Sequence, residues 1–257
     1  MIVTTAGRTN DHMIQIAKEI AEELGHPFFR RNKKSIGAIT KEMHQDILVI
    51  GKNRFEWYRL GMEEPIFFHP NTAAFRAKRW KNGEMEPFLQ ATDLKKGMKF
   101  LDCTLGLASD SIMASLATGE NGQVVGIEGN KMMAYLVKTG LKNWDSELAE
   151  MNEAMKRIEV HNDNHQRILS SLPDDSFDVV YFDPMFHFHL AESNGISPLR
   201  NVAIYDELTE KIISDAKRVA NHRVVLKDHW QSERFDKFGF IVHRRKTAKF
   251  HYGYLIT

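Results

Sequence analysis

The 257-residue chain holds a single cysteine, Cys103. One thiol excludes a disulfide framework and a cysteine-ligated zinc site. Its place inside an apolar strand marks it as a small core residue. No apolar run reaches the roughly 18 residues of a membrane span. Met1-Ile-Val-Thr-Thr5 lacks the charged segment and long apolar core of an export leader. Both absences lead us to expect a cytoplasmic protein with no membrane partner. An excess of either charge is missing as well, with 35 Lys and Arg against 34 Asp and Glu, net +1. Any contact with nucleic acid must therefore use local patches rather than global attraction. The chain lacks the Gly-x-Gly-x-x-Gly fingerprint of dinucleotide sites and the Gly-Lys-Ser/Thr of P-loops. His187 and His189 stand two apart with no cluster of Cys or acid ligands beside them, so no metal is expected. There is no internal repeat and no low-complexity tract.

What is present is a set of three strand ends. Phe100-Leu-Asp-Cys-Thr-Leu-Gly-Leu-Ala-Ser-Asp110 reads as an apolar strand ending in a carboxylate, a small-residue turn and a helix start. Such a turn lets backbone N–H groups approach a nucleotide-like ligand at a helix N-terminus. A strand-end Asp102 suits a cation better than a phosphate, and the ligand with a positive amine and sulfonium is S-adenosylmethionine. Gln123-Val-Val-Gly-Ile-Glu-Gly129 is a second strand ending in an acid, Glu128. A carboxylate there offers two acceptor oxygens to the two ribose hydroxyls. Asp163, after Glu159-Val-His-Asn, is placed to accept from the adenine amine, with Asn162 and Asn164 as alternatives. Ser109 and Asp110 open the first helix, where they cap it and present N–H groups to a ligand. Phe177-Asp-Val-Val-Tyr-Phe-Asp-Pro-Met-Phe186 is a third strand, opening onto Asp183-Pro-Met-Phe186.

Residues 1–65 read as a small N-terminal α/β unit, a candidate for substrate binding, and residues 66–257 as the main domain. In the first, strands are expected at 2–5, 46–51, 55–58 and 66–69, the last crossing the boundary. A helix is expected over 10–24, closed by Gly25. Arg30, Arg31, Lys33 and Lys34 form a loop charge run. Residues 70–91 hold one or two helices with a second basic cluster, Arg76, Lys78, Arg79 and Lys81. Strands then alternate with helices: strands at 99–103, 124–128, 158–161, 177–183 and 223–227, helices at 110–117, 131–141, 165–172 and 205–220. The segments 240–245 and 250–256 pair as a hairpin. Alternating βα units build a doubly wound, mostly parallel seven-stranded sheet with a C-terminal antiparallel hairpin, the layout of class I methyltransferases. Ligands in such sheets lie outside the strand C-terminal ends, where Asp102, Glu128, Asp163 and Asp183 fall.

The Asp183-Pro184 step resembles the Asp/Asn-Pro-Pro-aromatic motif of enzymes that methylate an exocyclic base amine, with Met185 in place of the second proline. In that chemistry Asp183 and the Pro184 carbonyl hold the amine, and Phe186 offers a face for the base to stack on. More closely, the chain from about residue 67 resembles the bacterial family that methylates guanine N2 in small-subunit ribosomal RNA. The resemblance rests on Ala73-Ala-Phe-Arg-Ala-Lys-Arg79, on Asp102-Cys-Thr-Leu-Gly-Leu-Ala-Ser-Asp110, and on Asp183-Pro-Met-Phe-His187. It implies cofactor contacts at Ser109, Asp110, Glu128, Gly129, Asp163, Asn164 and Asp183, beside Asp102, Thr104 and Gly106 of the first turn. Asp183, Pro184 and Phe186 are the implied catalytic set, with ribosomal RNA or the small ribosomal subunit as partner. The chain departs from the family at Ala108 for glycine, His187 for proline, and Lys81-Asn-Gly-Glu84 for a Gly-Gly-Gly-Arg stretch. An acceptor in DNA, a protein or a metabolite is the alternative, as is a cofactor-binding protein that does not catalyse. Arg200 and the tail cations Arg244, Arg245, Lys246 and Lys249 are further candidates for phosphate contact.

Overall fold

The computed structural model describes residues 1–62, 64–184 and 207–257. They fall into two compact units, one of residues 1–69 and one of the described residues from 70 onward.

The first unit is a three-stranded sheet with helices. Strand β1 (Ile2–Thr5) pairs in parallel with β2 (Ile47–Ile50), which pairs antiparallel with β3 (Phe55–Tyr58). Both β1 and β2 are buried at all four positions, as a parallel pair covered on both faces requires. Helix α1 (Asp11–Leu24) starts at Asn10, whose side chain accepts from the Met13 N–H at 2.9 Å. It buries Ala17, Ile20, Ala21 and Leu24 and closes at Gly25, φ 69°. Two expectations change here. A second helix, α2 (Ile36–Met43), follows the charge run, capped by Ser35. The expected strand at 66–69 reduces to one bridge between Trp57 and Ile66. Pro65 and Pro70 bound that stretch and lack the N–H a ladder needs. The Phe67 ring instead lies 3.8 Å from the Arg54 guanidinium.

The second unit carries helices α3 (Asn71–Lys81) and α4 (Pro87–Thr92), then a seven-stranded sheet. Its strands are β4 (Lys99–Asp102), β5 (Gln123–Glu128), β6 (Ile158–Asn162), β7 (Phe177–Phe182), β8 (Ala220–His229), β9 (Ile241–His243) and β10 (Phe250–Ile256). Their spatial order is β6-β5-β4-β7-β8-β10-β9. The first five are parallel, and β10 runs antiparallel to both β8 and β9. The connecting helices are α5 (Ser109–Thr118), α6 (Lys131–Asn143), α7 (Ala149–Lys156), α8 (His165–Ser171) and α9 (Glu210–Val219). A short α10 (Arg234–Lys237) precedes the terminal hairpin. Helix α7 was not expected. Its buried Met151, Ala154 and Met155 give too short a stripe to stand out, and it is fixed by the Ser115 hydroxyl donating to Ala154 O at 2.7 Å.

The chain moves outward from β4 through β5 to β6, then returns to place β7 on the other side of β4. This reversal opens a crevice at the C-terminal ends of β4 and β7, where open α/β sheets bind ligands. Behind it Phe88, Phe100, Tyr181 and Tyr252 pack edge to face, with Phe88 centroids 5.7, 5.2 and 6.2 Å from the other three. Gly126 in β5 has no room for a side chain, because a Cβ would fall 2.4 Å from Leu105 Cδ1. That contact seats the turn after β4 directly on β5.

Candidate functional site

The site grows from the turn between β4 and α5. Asp102 ends β4 with 1% exposure. Its Oδ1 accepts from the Thr104 N–H at 3.0 Å and its Oδ2 from the Ser111 hydroxyl at 2.7 Å. Burial pushes this carboxyl up to about 7 against those two bonds. The Thr104 hydroxyl accepts from the Asp183 N–H at 2.6 Å, stitching the end of β4 to the end of β7. Cys103 is buried and its thiol is pushed up by burial, consistent with core packing. Gly106 takes φ 50° and Ala108 φ 61°, so the turn needs the left-handed region twice in three residues.

At the end of β5, Glu128 accepts from Asn130 N at 2.9 Å and Gly106 N at 3.2 Å. Burial raises its carboxyl, and those bonds partly offset the rise. Asn162 donates to the carbonyls of Glu128 and Gly129 at 2.8 and 3.1 Å. Beyond β6, Asn164 caps α8 through Gln166 N at 2.8 Å, and Asp163 pairs with the exposed Arg167. An exposed pair of this kind is weak and readily exchanged.

Asp110 sits in the first turn of α5, but neither it nor Ser109 caps the helix: the N-cap is Ala108, with no side-chain cap bond. The Asp110 side chain turns inward, accepting from Arg76 at 2.6 Å, the Tyr181 hydroxyl at 2.8 Å and Lys227 at 3.2 Å. Burial alone would raise this carboxyl, but the charges of Lys227 and Arg76 hold it below the usual range. Arg76 also pairs with Glu86 at 2.7 Å and donates to the Ser109 hydroxyl at 3.3 Å. It is therefore no member of a surface patch, since it shares the inner side of α3 with Ala73 and Ala77. In the other charge run, Arg31 donates to Lys34 O and Thr5 O, and Lys34 pairs with Glu42. In the tail, Arg245 donates to Phe250 O and stacks on its ring.

Asp183 follows β7 with a buried Pro184. Its Oδ2 lies 2.5 Å from Lys227 Nζ. Burial raises the Asp183 carboxyl to about 6, with Lys227 opposing and Asp110 adding. Phe186, Met185, His187, His189 and Arg200 lie outside the described residues, as do residues 205 and 206 of the expected helix. The sequence reading missed Lys227, Arg76 and Tyr181. For Lys227 a signal existed: one cation closing the apolar run Val224-Val-Leu-Lys227, on the strand next to the one that ends at Asp183.

The crevice suits S-adenosylmethionine. Glu128 presents two carboxylate oxygens at the end of β5, Gly106 carries no Cβ in the turn, and Asp102 and Asp183 bring acids to the ends of the neighbouring strands β4 and β7. Strand order and acidic strand ends together define a class I S-adenosylmethionine-dependent methyltransferase.

The relatives agree. Residues 32–250 match the family described as "Putative SAM-dependent methyltransferase", and the chain belongs to that family. The uncharacterised protein YpiP of Bacillus subtilis is 51% identical over 257 residues, covering 100% of this chain and 99% of YpiP. Ribosomal RNA small subunit methyltransferase J of Psychrobacter arcticus is 27% identical over 164 residues, 60% of this chain and 53% of that protein. The crystal structure of a SAM-dependent methyltransferase from Neisseria gonorrhoeae superposes with a TM-score of 0.62 at 14% identity. It covers 100% of this chain and 96% of its own, a likeness of fold. Among the described residues no helix is long and apolar enough to cross a membrane.

Proposed function

We propose that this methyltransferase acts on an exocyclic amine of an RNA base, with guanine N2 of small-subunit ribosomal RNA as the acceptor. The observation that carries the reading is the Asp183-Pro184 step at the sheet's reversal, its carboxylate fixed by Lys227 and its N–H by Thr104. The partial likeness to ribosomal RNA small subunit methyltransferase J supports the choice of acceptor.

S-adenosylmethionine supplies an electrophilic methyl on a sulfonium sulfur. Glu128 is assigned to the ribose hydroxyls, Asp163 and Asn164 to the adenine, and Asp102 to the cofactor's cationic end. Thr104, Gly106, Ser109 and Gly129 line its path. Asp110 serves indirectly, holding α5 and Lys227 in place. A base amine is a poor nucleophile because its lone pair is delocalised into the ring. Asp183 and the Pro184 carbonyl accept its two N–H groups, turning the lone pair toward the methyl. Phe186 is assigned to stacking on the base. The methyl that bound S-adenosylmethionine would supply takes the place of one amine hydrogen, and the proton released passes to the Asp183 carboxylate that holds that N–H. The transfer is an in-line displacement, so most of the acceleration comes from holding this line.

The test is methyl transfer from labelled S-adenosylmethionine to small ribosomal subunits, naked ribosomal RNA and total protein from cells lacking the gene. Label recovered as N2-methylguanosine is expected, and Asp183→Ala should lower kcat far more than cofactor affinity. Label in protein or metabolites overturns the acceptor. Equal loss of turnover and affinity makes Asp183 a cofactor residue instead.

A further inference from the structure

We propose that Lys227 is the positioning residue of the acceptor site, keeping Asp183 a charged, correctly aimed acceptor, and that Asp110 and Arg76 hold Lys227 in turn. The proposal rests on the assignment of Asp183 to the acceptor amine.

The register of the sheet places the two groups together. Phe182 pairs with Leu226 across the parallel β7 and β8, so the next residues, Asp183 and Lys227, are neighbours. The ammonium lies 2.5 Å from Asp183 Oδ2 and 3.2 Å from Asp110 Oδ2, over the Phe250 ring at 5.1 Å. Lys227 is only 16% exposed in its side chain. Burial by itself weakens a lysine's hold on its proton. Here burial is outweighed by the two carboxylates, which hold the ammonium charged. Behind Asp110 stands Arg76, itself held by Glu86. One chain of alternating charge thus runs Glu86, Arg76, Asp110, Lys227, Asp183, from α3 and α4 to the end of β7.

The chemistry gives this chain a purpose. A protonated Asp183 would turn one oxygen into a donor and leave the other an uncharged, weaker acceptor for the amine N–H. The groups facing Asp183 favour that proton. Asp110 of α5 and Asp228 of β8 add negative charge, and Asp102 of β4 stands close enough to feel it. Tyr181 of β7 and Tyr252 of β10 stay neutral, their hydroxyls raised by burial and by Asp110. Lys227 is the one cation in contact with Asp183 among the described residues. It also occupies Oδ2, which leaves Oδ1 as the oxygen that meets the amine.

The experiment compares wild type with Lys227→Met, Lys227→Arg and Asp183→Asn. The pH dependence of kcat/KM is measured on the RNA acceptor. Separately, the carboxyl infrared band of cofactor-free protein is titrated, with Asp183→Asn identifying the Asp183 signal. Wild type should lose activity as pH falls through about 6, the value to which Asp183 is raised. In Lys227→Met, both the acid limb and the infrared titration should move up by about 1–3 pH units, with activity recovering at alkaline pH. Cofactor affinity should stay unchanged. Lys227→Arg should bring both back toward wild type. An unmoved infrared titration in Lys227→Met overturns the proposal and leaves the RNA acceptor reading intact. A moved titration with an unmoved acid limb removes Asp183 from the transfer, and the proposal falls with it. If Lys227→Met does not fold, the double variant Lys227→Met/Asp183→Asn should fold, because it also removes the unpaired carboxylate. Lys227→Arg then carries the test: an acid limb and infrared titration near wild type are expected, and an arginine variant that folds but moves either one upward overturns the proposal.

Discussion

Asp102→Asn should make the protein more stable at alkaline pH and bind its cofactor worse. Asp102 is 1% exposed and ends β4 with one bond from a backbone N–H and one from the Ser111 hydroxyl. Asparagine keeps the bond from Thr104 N and reverses the other, its amide donating to the Ser111 oxygen while the Ser111 hydroxyl hydrogen turns to another acceptor. The main change is the loss of the charge. Burial raises the carboxyl from 3.8 to about 7. Between those values the folded protein binds more protons than the unfolded chain, so stability falls as pH rises through that window. A shift of about three units corresponds to about 4 kcal/mol at pH 8, an upper figure since relaxation and water entry reduce it. Asp102→Asn removes that loss, so its gain should be near zero at pH 4 and largest at pH 8. For a unit of this size about 2–4 kcal/mol corresponds to a rise of roughly 4–16 °C in Tm. Thermal unfolding of both proteins at pH 5 and pH 8, without cofactor, makes the comparison. An asparagine variant no more stable than wild type at pH 8, or one equally stabilised at both pH values, refutes the reasoning. Isothermal titration with S-adenosylmethionine should show weaker binding, because the charge that destabilises the free fold is the one assigned to the cofactor's cation.

Three further outcomes are expected. Glu128→Ala should weaken cofactor binding by about 1.5–3 kcal/mol, roughly 10- to 150-fold, as two hydrogen bonds to a charged acceptor are lost; calorimetry with unchanged affinity would remove the ribose assignment. Asp110→Asn should destabilise the fold by about 3 kcal/mol in urea unfolding, since two buried cations lose a shared carboxylate; a loss below about 1 kcal/mol would mean Glu86 and Asp183 suffice for them. Gly126→Ala should cost about 1–3 kcal/mol because its Cβ meets Leu105. Adding Leu105→Ala should return part of that stability, and strictly additive losses would show the contact is not the cause.

Much of the fold was legible because its signals are local. Strands of four to six residues with apolar centres, each ending at or next to an acid, mark β4, β5 and β7. Asn10 and Gly25 bound α1 at the positions their chemistry favours. Where the signal was thin, the reading failed. Helix α2 hides behind a charge run, α7 has three buried residues, and the stretch after Pro65 is apolar but cannot extend a ladder. The candidate site was legible to the extent that the strand end itself bears the acid, as at Asp102, Glu128 and Asp183, which the sheet brings to one edge. It was not legible where a residue serves through a partner distant in the chain. Arg76 looked like one of four exposed cations, yet its partner Asp110 lies 34 positions away.

The sequence by itself determined the order of the seven strands of the large sheet along the chain, the three acids at strand ends and the cofactor they suit. These follow from hydrophobic periodicity and from side-chain chemistry at fixed short spacings, which need no knowledge of what lies alongside. Only the tertiary structure decided that Asp110 faces inward, that Asp183 shares its charge with Lys227, and that a buried file of ions runs from α3 to the end of β7. Which strands become neighbours depends on how the whole sheet is wound, and here the crossing back over β4 sets β8 beside β7. A carboxylate's usefulness depends on the charges within a few ångströms of it, and that neighbourhood exists only once the sheet has closed around it.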